Sequence, residues 1–290
     1  MIHNQNVCAV MVLYNPEDYV IKNLVRAVSF FVKVFVIDNS DKPNPSHDFC
    51  GMDSNDSLVY VANDANYGVA KALNQGAELA IKGGFSAAVL LDQDTKLSRS
   101  FLDELVYIYN DRSRLAPVAI VGSNYQISTA LSKQKKARFV AEKTVITSGS
   151  LLNIEAYKGI GPFNESYFID GVDLEFCLRA HLKGYGVYKS TKVLMEHFIG
   201  DATKHSLLGL TFITSNHSAL RRYYLTRNTI FLCRSFFKSF FLYTVTGGIN
   251  VVRIAVYIVL FESEKREKLN YMLLGLKDGF QNISGKKVLG

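Results

Sequence analysis

Five apolar runs of strand length recur in the first 125 residues, and most of them stop on a polar residue. They are "VCAVMVLY" (Val7 to Tyr14), "VKVFVIDNS" (Val32 to Ser40), "SLVYVAN" (Ser57 to Asn63), "AAVLL" (Ala87 to Leu91) and "VAIVGSNY" (Val118 to Tyr125). Segments with helical spacing separate several of them. Pro16 is suited to the first turn of a helix running to about Ser29. "NYGVAKALNQGAELAIKGG" places Val69, Ala72, Leu73, Ala77, Ala80 and Ile81 on one helical face, with Gly83-Gly84 as C-cap. "SRSFLDELVYIYN" reads as another helix. Continuous apolar strands alternating with helices imply an α/β fold, a Rossmann-like, mainly parallel central sheet with helices on both faces. Ligands of such sheets bind outside the carboxyl ends of the strands. Asn15, Asp38, Asn63 and Asp92, which close four of the runs, are therefore expected to line one crevice.

Downstream the pattern changes. "ARFVAEKTVITSGSLLN" suggests a pair of strands, "GPFNESYFIDGVDLEFCLRAHLKGYG" a loop entering a helix from about Val172 to Lys183, and "GVYKSTKVLMEHFIGD" an extended segment. Beyond Asp201 the chain reads as mostly helical and apolar-aromatic. A division into residues 1–200 and a helical region 201–290 follows. In "FFKSFFLYTVTGGINVVRIAVYIVLF", Lys238, Gly247-Gly248, Asn250 and Arg253 interrupt the run of roughly 20 apolar residues that a spanning helix needs. The expectation is a helix pair, either packed on the protein or lying in a membrane interface.

Charge is unevenly distributed: 8 basic residues against 13 acidic in residues 1–110, but 13 against 5 in residues 200–290. A basic C-terminal third suits an anionic partner or a solvated surface. Its aromatic residues sit in apolar runs, unlike a base-stacking platform, so nucleic acid is not expected. Four cysteines without a CxxC argue against a zinc ribbon or a disulfide scaffold. The N-terminus lacks the features of a secretory signal, and a cytoplasmic location is expected.

Three groups of residues could carry chemistry. Asp92 and Asp94, one residue apart after a buried strand, would repel each other unless a cation or hydrogen-bond donors shared them. Mg²⁺ typically takes one or two carboxylates and completes its shell with water and phosphate oxygens. An acidic turn after a strand is also common, so alone the pair fits either reading. Asp170, Asp173 and Glu175, where a loop enters a helix, are either helix N-terminal partners or a site containing a general base. His197 in "LMEHFIGD" is either structural or the completion of a metal shell. No GxGxxG after a strand, Walker loop, HExxH or GxSxG is present.

The order "VLYNP", "VIDNS", "NYGVAKALNQG", "LLDQDT", "TSGSLLN", "FIDGVDLEFCLRA", "EHFIG" and "RRYYLTRN" resembles family 2 glycosyltransferases of the GT-A fold over about residues 7 to 230. "LLDQDT", "FIDGVDLEFCLR" and "RYYLTRN" look most like bacterial rhamnosyltransferases of surface-polysaccharide (O-antigen type) assembly. The resemblance implies inverting transfer from a nucleotide diphosphate sugar with a divalent cation, Mg²⁺ or Mn²⁺. Asp38 matches the acid that binds the base, with Asn15 in the same donor region; Asn66 and Gly68 match the segment lining the nucleotide pocket. Asp92 and Asp94 match the DXD motif, Asp94 toward the metal and Asp92 toward the ribose, with Gln93 as the clue to the sugar. Asp173 matches the catalytic base, although Val172 stands where many members have Glu, a place Asp170 could take over. His197 matches a metal ligand of some members. Arg227 is assigned to diphosphate or acceptor contact or to packing, and Arg222, Tyr223, Tyr224, Asn228, Asp170 and Glu175 to acceptor or supporting roles. The resemblance implies dTDP-L-rhamnose as donor and a lipid-linked saccharide as acceptor, at the cytoplasmic face of the inner membrane; a UDP-hexose or galactofuranose donor, a glycoside hydrolase and a non-catalytic binding protein are the alternatives.

Overall fold

In the computed structural model the parallel half of the sheet is built from the runs that the sequence marks. The structure describes residues 1–42, 57–126, 137–196, 203–207 and 210–288. Strands β1 (Val7–Leu13), β2 (Val34–Asp38), β3 (Leu58–Ala62) and β4 (Ala87–Asp92) are parallel, in the order β3-β2-β1-β4. Both faces of β1 and β2 are buried, which is why these strands read as unbroken apolar runs and not as alternating ones. Helix α1 (Asp18–Phe30) follows β1, and α2 (Val69–Lys82) precedes β4. Gly76 lets α2 lie on β1: a Cβ there would meet Val10 Cγ1 at 2.1 Å.

After β4 come a two-residue strand β5 (Lys96–Leu97), helix α3 (Phe101–Ser113), β6 (Val118–Gln126), β7 (Phe139–Ala141), β8 (Ser150–Asn153), α4 (Ile154–Ile160), α5 (Val172–Leu182) and β9 (Gly186–Glu196). They extend the sheet as β4-β8-β6-β9-β5, with β7 also on β9. β8 runs antiparallel to β4 and β6, whereas β6 and β9 are parallel. The core under this sheet is continuous from Val7 and Leu24 through Val89 and Leu105 to Leu151 and Leu194.

The chain divides into two units. Residues 1–165 with 173–198 form the first, and residues 166–172 with 199–290 the second. The stretch Ser166–Val172 thus joins the C-terminal region, which a single boundary at residue 200 does not foresee. Within the second unit an antiparallel strand pair, β10 (Thr203–Leu207) and β11 (Leu210–Thr214), precedes the helices in a region that the sequence reads as mostly helical. Helices α6 (Ala219–Phe236), α7 (Phe241–Phe261) and α8 (Lys265–Phe280) follow.

Helix α7 corrects the expectation of a broken helix pair. It is continuous through Gly247, Gly248, Asn250 and Arg253, because single poor helix formers cost only about 1 kcal/mol each and packing offsets that. By length and composition it is long and apolar enough to cross a membrane, the one such helix among the described residues. Gly275 and Gly279 bring α8 against α6: a Cβ on Gly275 would meet Tyr223 O at 2.5 Å, and one on Gly279 would meet Ile230 Cβ at 2.9 Å.

A buried charge cluster fixes the end of α7. Glu262, with 1% of its side chain exposed, accepts from Arg222 Nη2 at 2.6 Å and from Lys268 Nζ at 3.0 Å. Lys268 also donates to Asn216 Oδ1 at 2.8 Å. Two buried cations share one carboxylate, so removing it leaves both uncompensated. Glu262→Gln is expected to destabilise the protein by about 3–5 kcal/mol, read from urea unfolding curves. Nearby, burial first, then Arg221, Arg222 and Lys268, pushes His217 down to about 4. Its neutral form is thus favoured in the folded chain, and its contribution to stability is present above the unfolded value of about 6.5 and lost as pH falls through about 4. His217→Gln should flatten stability between those two pH values, measured as the slope of unfolding free energy against pH.

Candidate active site

The register of β1, β2 and β4 sets the geometry at their carboxyl ends. Asp38 lies opposite Leu13, and Asp92 opposite Val12. Two inter-strand spacings separate the acids, about 10 Å. This mouth carries a network of polar side chains that the strand ends alone do not reveal.

Asn39, only 3% exposed, is the hub of its β2 side. Its Oδ1 accepts from Asn63 Nδ2 at 3.1 Å and from Tyr67 N at 3.2 Å; its Nδ2 donates to Asn66 Oδ1 at 3.2 Å and to Gly68 O at 3.1 Å. Asn63 and Gln75 exchange two further amide bonds at 2.8 Å each. Asn66 Oδ1 also accepts from Gly68 N at 2.9 Å, closing the turn in which Gly68 takes φ +89° at the start of α2. Glycine is suited to that left-handed backbone. The turn 63–68 is thereby held against the end of β2. Sequence reasoning missed Asn39 and Gln75, because an Asn after a strand looks like any turn residue.

Asp38 is buried. Its Oδ1 accepts from Ser40 N and Ser40 Oγ, and its Oδ2 from Tyr60 OH at 2.6 Å. Ser40 Oγ in turn accepts from the N–H of Asn15, an exposed residue at φ +43°. The carboxylate therefore shapes the turn after β2 and ties it to the turn after β1, a task beyond the base contact assigned from the resemblance.

On the β4 side, Gln93 bridges two turns. Its Oε1 accepts from Tyr14 N at 2.9 Å, while its backbone carbonyl accepts from Asn23 Nδ2 at 2.9 Å. This is a positioning task, and it differs from the sugar contact expected of Gln93. Beneath it, Ser148 Oγ bonds Thr95 Oγ1 at 2.8 Å and lies 3.4 Å from the Asp92 N–H. Gly149, at φ +68°, allows this approach: a Cβ would meet Met195 Sδ at 2.3 Å and Ser123 Oγ at 2.6 Å. Asp92 and Asp94 themselves are half-buried. Asp94 is close enough to Tyr19 to help raise that phenol, second to desolvation.

Asp173 is half-buried in the first turn of α5, and its Oδ1 accepts from the N–H of Leu174 at 2.9 Å. Glu175 is committed elsewhere. It receives Arg179 Nε and Nη2 at 2.8 Å each, and Arg179 also donates to the carbonyls of Ile160, Gly161 and Pro162. The pair braces the end of α4, so Glu175 supports the fold of the site and is not itself free for an acceptor.

His197 lies outside the described residues. Among those described, no group of three or more His, Cys, Asp or Glu side chains comes together as a metal cage. Two half-buried carboxylates at a strand mouth nevertheless fit a hard divalent cation that takes one or two protein carboxylates and completes its shell with phosphate oxygens.

In the second unit the "RRYYLTRN" residues other than Arg221, which is exposed, are packed. Arg227 is fully buried; Nε donates to Asn228 Oδ1, Nη1 to Gly285 O, and Nη2 to the carbonyls of Ser166 and Tyr167. Every nitrogen of its guanidinium is thus bonded inside the unit, as the packing alternative for Arg227 requires. Asn228 donates to the carbonyls of Tyr167, Ile169 and Asp170. Tyr223 donates to Asp278 at 2.7 Å, and burial followed by that bond pushes its phenol up to about 12. Tyr224 OH accepts from the N–H of Lys287 at 2.7 Å. Arg222 belongs to the Glu262 cluster, and Asp170, at φ +60°, pairs with Arg221 at 3.1 Å. These residues hold the segment 166–170 that leads along the chain into α5. Acceptor contact is not the task their bonding describes.

Comparison with known proteins places this arrangement. No family model matches the chain. A dTDP-rhamnosyl transferase of Shigella flexneri, RfbF, is 27% identical over 303 residues, 97% of this chain and 98% of that protein. The crystal structure of S. aureus TarS 1-349 superposes with a TM-score of 0.53 at 13% identity, covering 96% of this chain and 72% of that one; TarS has also been crystallised with UDP-GlcNAc. GalNAc-T7 with UDP, GalNAc and Mn²⁺ matches with a TM-score of 0.54 at 13% identity, over 70% of this chain and 44% of that one. The structural matches show the fold: the chain has the GT-A fold of these proteins, and its sequence match runs end to end along a protein named as a dTDP-rhamnosyl transferase.

Proposed function

We propose that the chain is an inverting, metal-dependent transferase that moves L-rhamnose from dTDP-L-rhamnose to a lipid-linked saccharide acceptor in cell-surface polysaccharide assembly, at the cytoplasmic face of the inner membrane. The observation that carries the donor assignment is the end-to-end match with the Shigella flexneri protein named for that donor. Gln93 does not carry it, because its Oε1 is engaged by Tyr14.

The residues divide the work by position. The Asn39 network holds the turns that enclose a nucleotide base and ribose, with Asn66 and Gly68 as their inner lining, Asn15 and Asp38 at the base and Asp92 at the ribose. Asp94, together with His197, would hold a divalent cation. When bound, such an ion supplies neutralisation of the charge that develops on the departing diphosphate. Asp173 removes the proton of the acceptor hydroxyl as that oxygen attacks the anomeric carbon opposite the leaving group, so one base suffices and no covalent sugar intermediate forms.

Asp173→Asn is expected to lower transfer by about 100- to 10,000-fold while leaving calorimetric donor affinity within about twofold. Turnover close to that of the unaltered protein would remove Asp173 as the base. A thermal-shift panel of nucleotide sugars with Mg²⁺ and Mn²⁺ tests the donor. Metal-dependent stabilisation by dTDP-L-rhamnose, lost in Asp94→Asn, is expected, and stabilisation by a UDP sugar alone would reassign the donor.

A further inference from the structure

Helix α7 exposes an apolar arc that none of the described residues of its own unit covers. Leu242, Ile249, Val252, Val256, Val259 and Leu260 are each about half or more exposed. At 3.6 residues per turn they fall within an arc of about 100°. Thr244, Val251 and Ile258, on the opposite side, are buried, the last two with Met272 in a small core. A continuous exposed stripe of this kind marks a contact surface, not scattered surface residues.

Its surroundings identify the partner. α7 contains no acidic residue, and Arg253 stands at the border of the arc, exposed, with its Nη2 on Asn250 Oδ1. Arg234 and Lys238 are exposed just before the helix, with no acidic residue among the intervening residues. Lys265 and Arg266 beyond its end are balanced by Glu264 and Glu267. A symmetric pair of copies joined through the arc would bring Arg253 close to its own equivalent, with no carboxylate on α7 to neutralise either. An anionic lipid headgroup would neutralise both the arginine at the border and the cations at the start.

The helix cannot serve as a span. α6 ends at Phe236, α8 begins at Lys265, and each is joined to α7 by a few residues. A single crossing would put α6 and α8 on opposite sides of the bilayer, yet Gly275 and Gly279 hold them in backbone contact. The end of α7 is pinned as well, by Glu262 on Arg222 and Lys268.

We propose that α7 lies in the plane of an anionic membrane surface, its Leu242 to Leu260 arc among the acyl chains and Arg253, Arg234 and Lys238 at the headgroups. The inference rests on this helix alone and holds whichever sugar the enzyme transfers. The test is flotation of the full chain, without nucleotide sugar, with vesicles of phosphatidylcholine alone and of phosphatidylcholine mixed with phosphatidylglycerol. Binding to the mixed vesicles is expected, at least about tenfold weaker for the Val252→Asp/Val256→Asp double variant, with Arg253→Glu losing the preference for the anionic lipid. Both sites are exposed, and unchanged circular dichroism confirms folding. No flotation, or flotation that neither change weakens, would overturn the proposal. So would a vesicle-free doubling of mass that the double variant abolishes, which assigns the arc to a second copy. Because no donor is present, the outcome is separate from that of the thermal-shift panel.

Discussion

Parallel pairing of β1 with both β2 and β4 is the constraint on which the first unit depends. It satisfies the backbone of a strand whose side chains are buried on both faces. Its register also decides that Asp38 and Asp92 emerge on either side of the same strand end. A slip of one residue would turn every side chain of β1 to the other face and expel Val10 from its contact with Gly76. The candidate site is therefore a by-product of the packing that holds the sheet together.

Polar residues around that mouth hold one another before they hold a ligand. Asn39 links two turns, Ser40 joins Asp38 to the turn after β1, and Gln93 joins that turn to β4. Such cross-bracing fixes the turns at the ends of strands, where loops alone would be loose. In the second unit Arg227 and Asn228 perform the same service for the segment 166–170, gathering its carbonyls. Both units use buried side-chain donors to shape irregular backbone, because a carbonyl buried without a partner is costly.

The fold was legible because its signal is local. Unbroken apolar runs and Gly83-Gly84 after α2 announce element types and limits without knowledge of neighbours. The strand-end acids were legible for the same reason, since a strand's last residue is a position along the chain. The sequence could not separate a ligand-binding arginine from a structural one. Arg227 and a phosphate-binding Arg have the same chemistry, and what distinguishes them is where the carbonyls of Ser166, Tyr167 and Gly285 lie. Glu175, which the sequence left between an acceptor and a supporting role, is paired with Arg179 one helical turn on.

By itself the sequence determined the α/β class, the strand ends at which Asp38, Asp92 and Asp94 sit, and the helix whose first turn carries Asp173, since each follows from apolar periodicity and chain breaks within a few residues. Tertiary structure decided the rest. It made braces of Asp38 and Gln93, committed Arg222, Tyr223, Tyr224, Arg227 and Asn228 to packing, and made a single helix of the stretch interrupted by Gly247-Gly248. In each case the deciding partner lies far along the chain or on another element, and a hydrogen bond or a buried face exists only when two such segments meet in space.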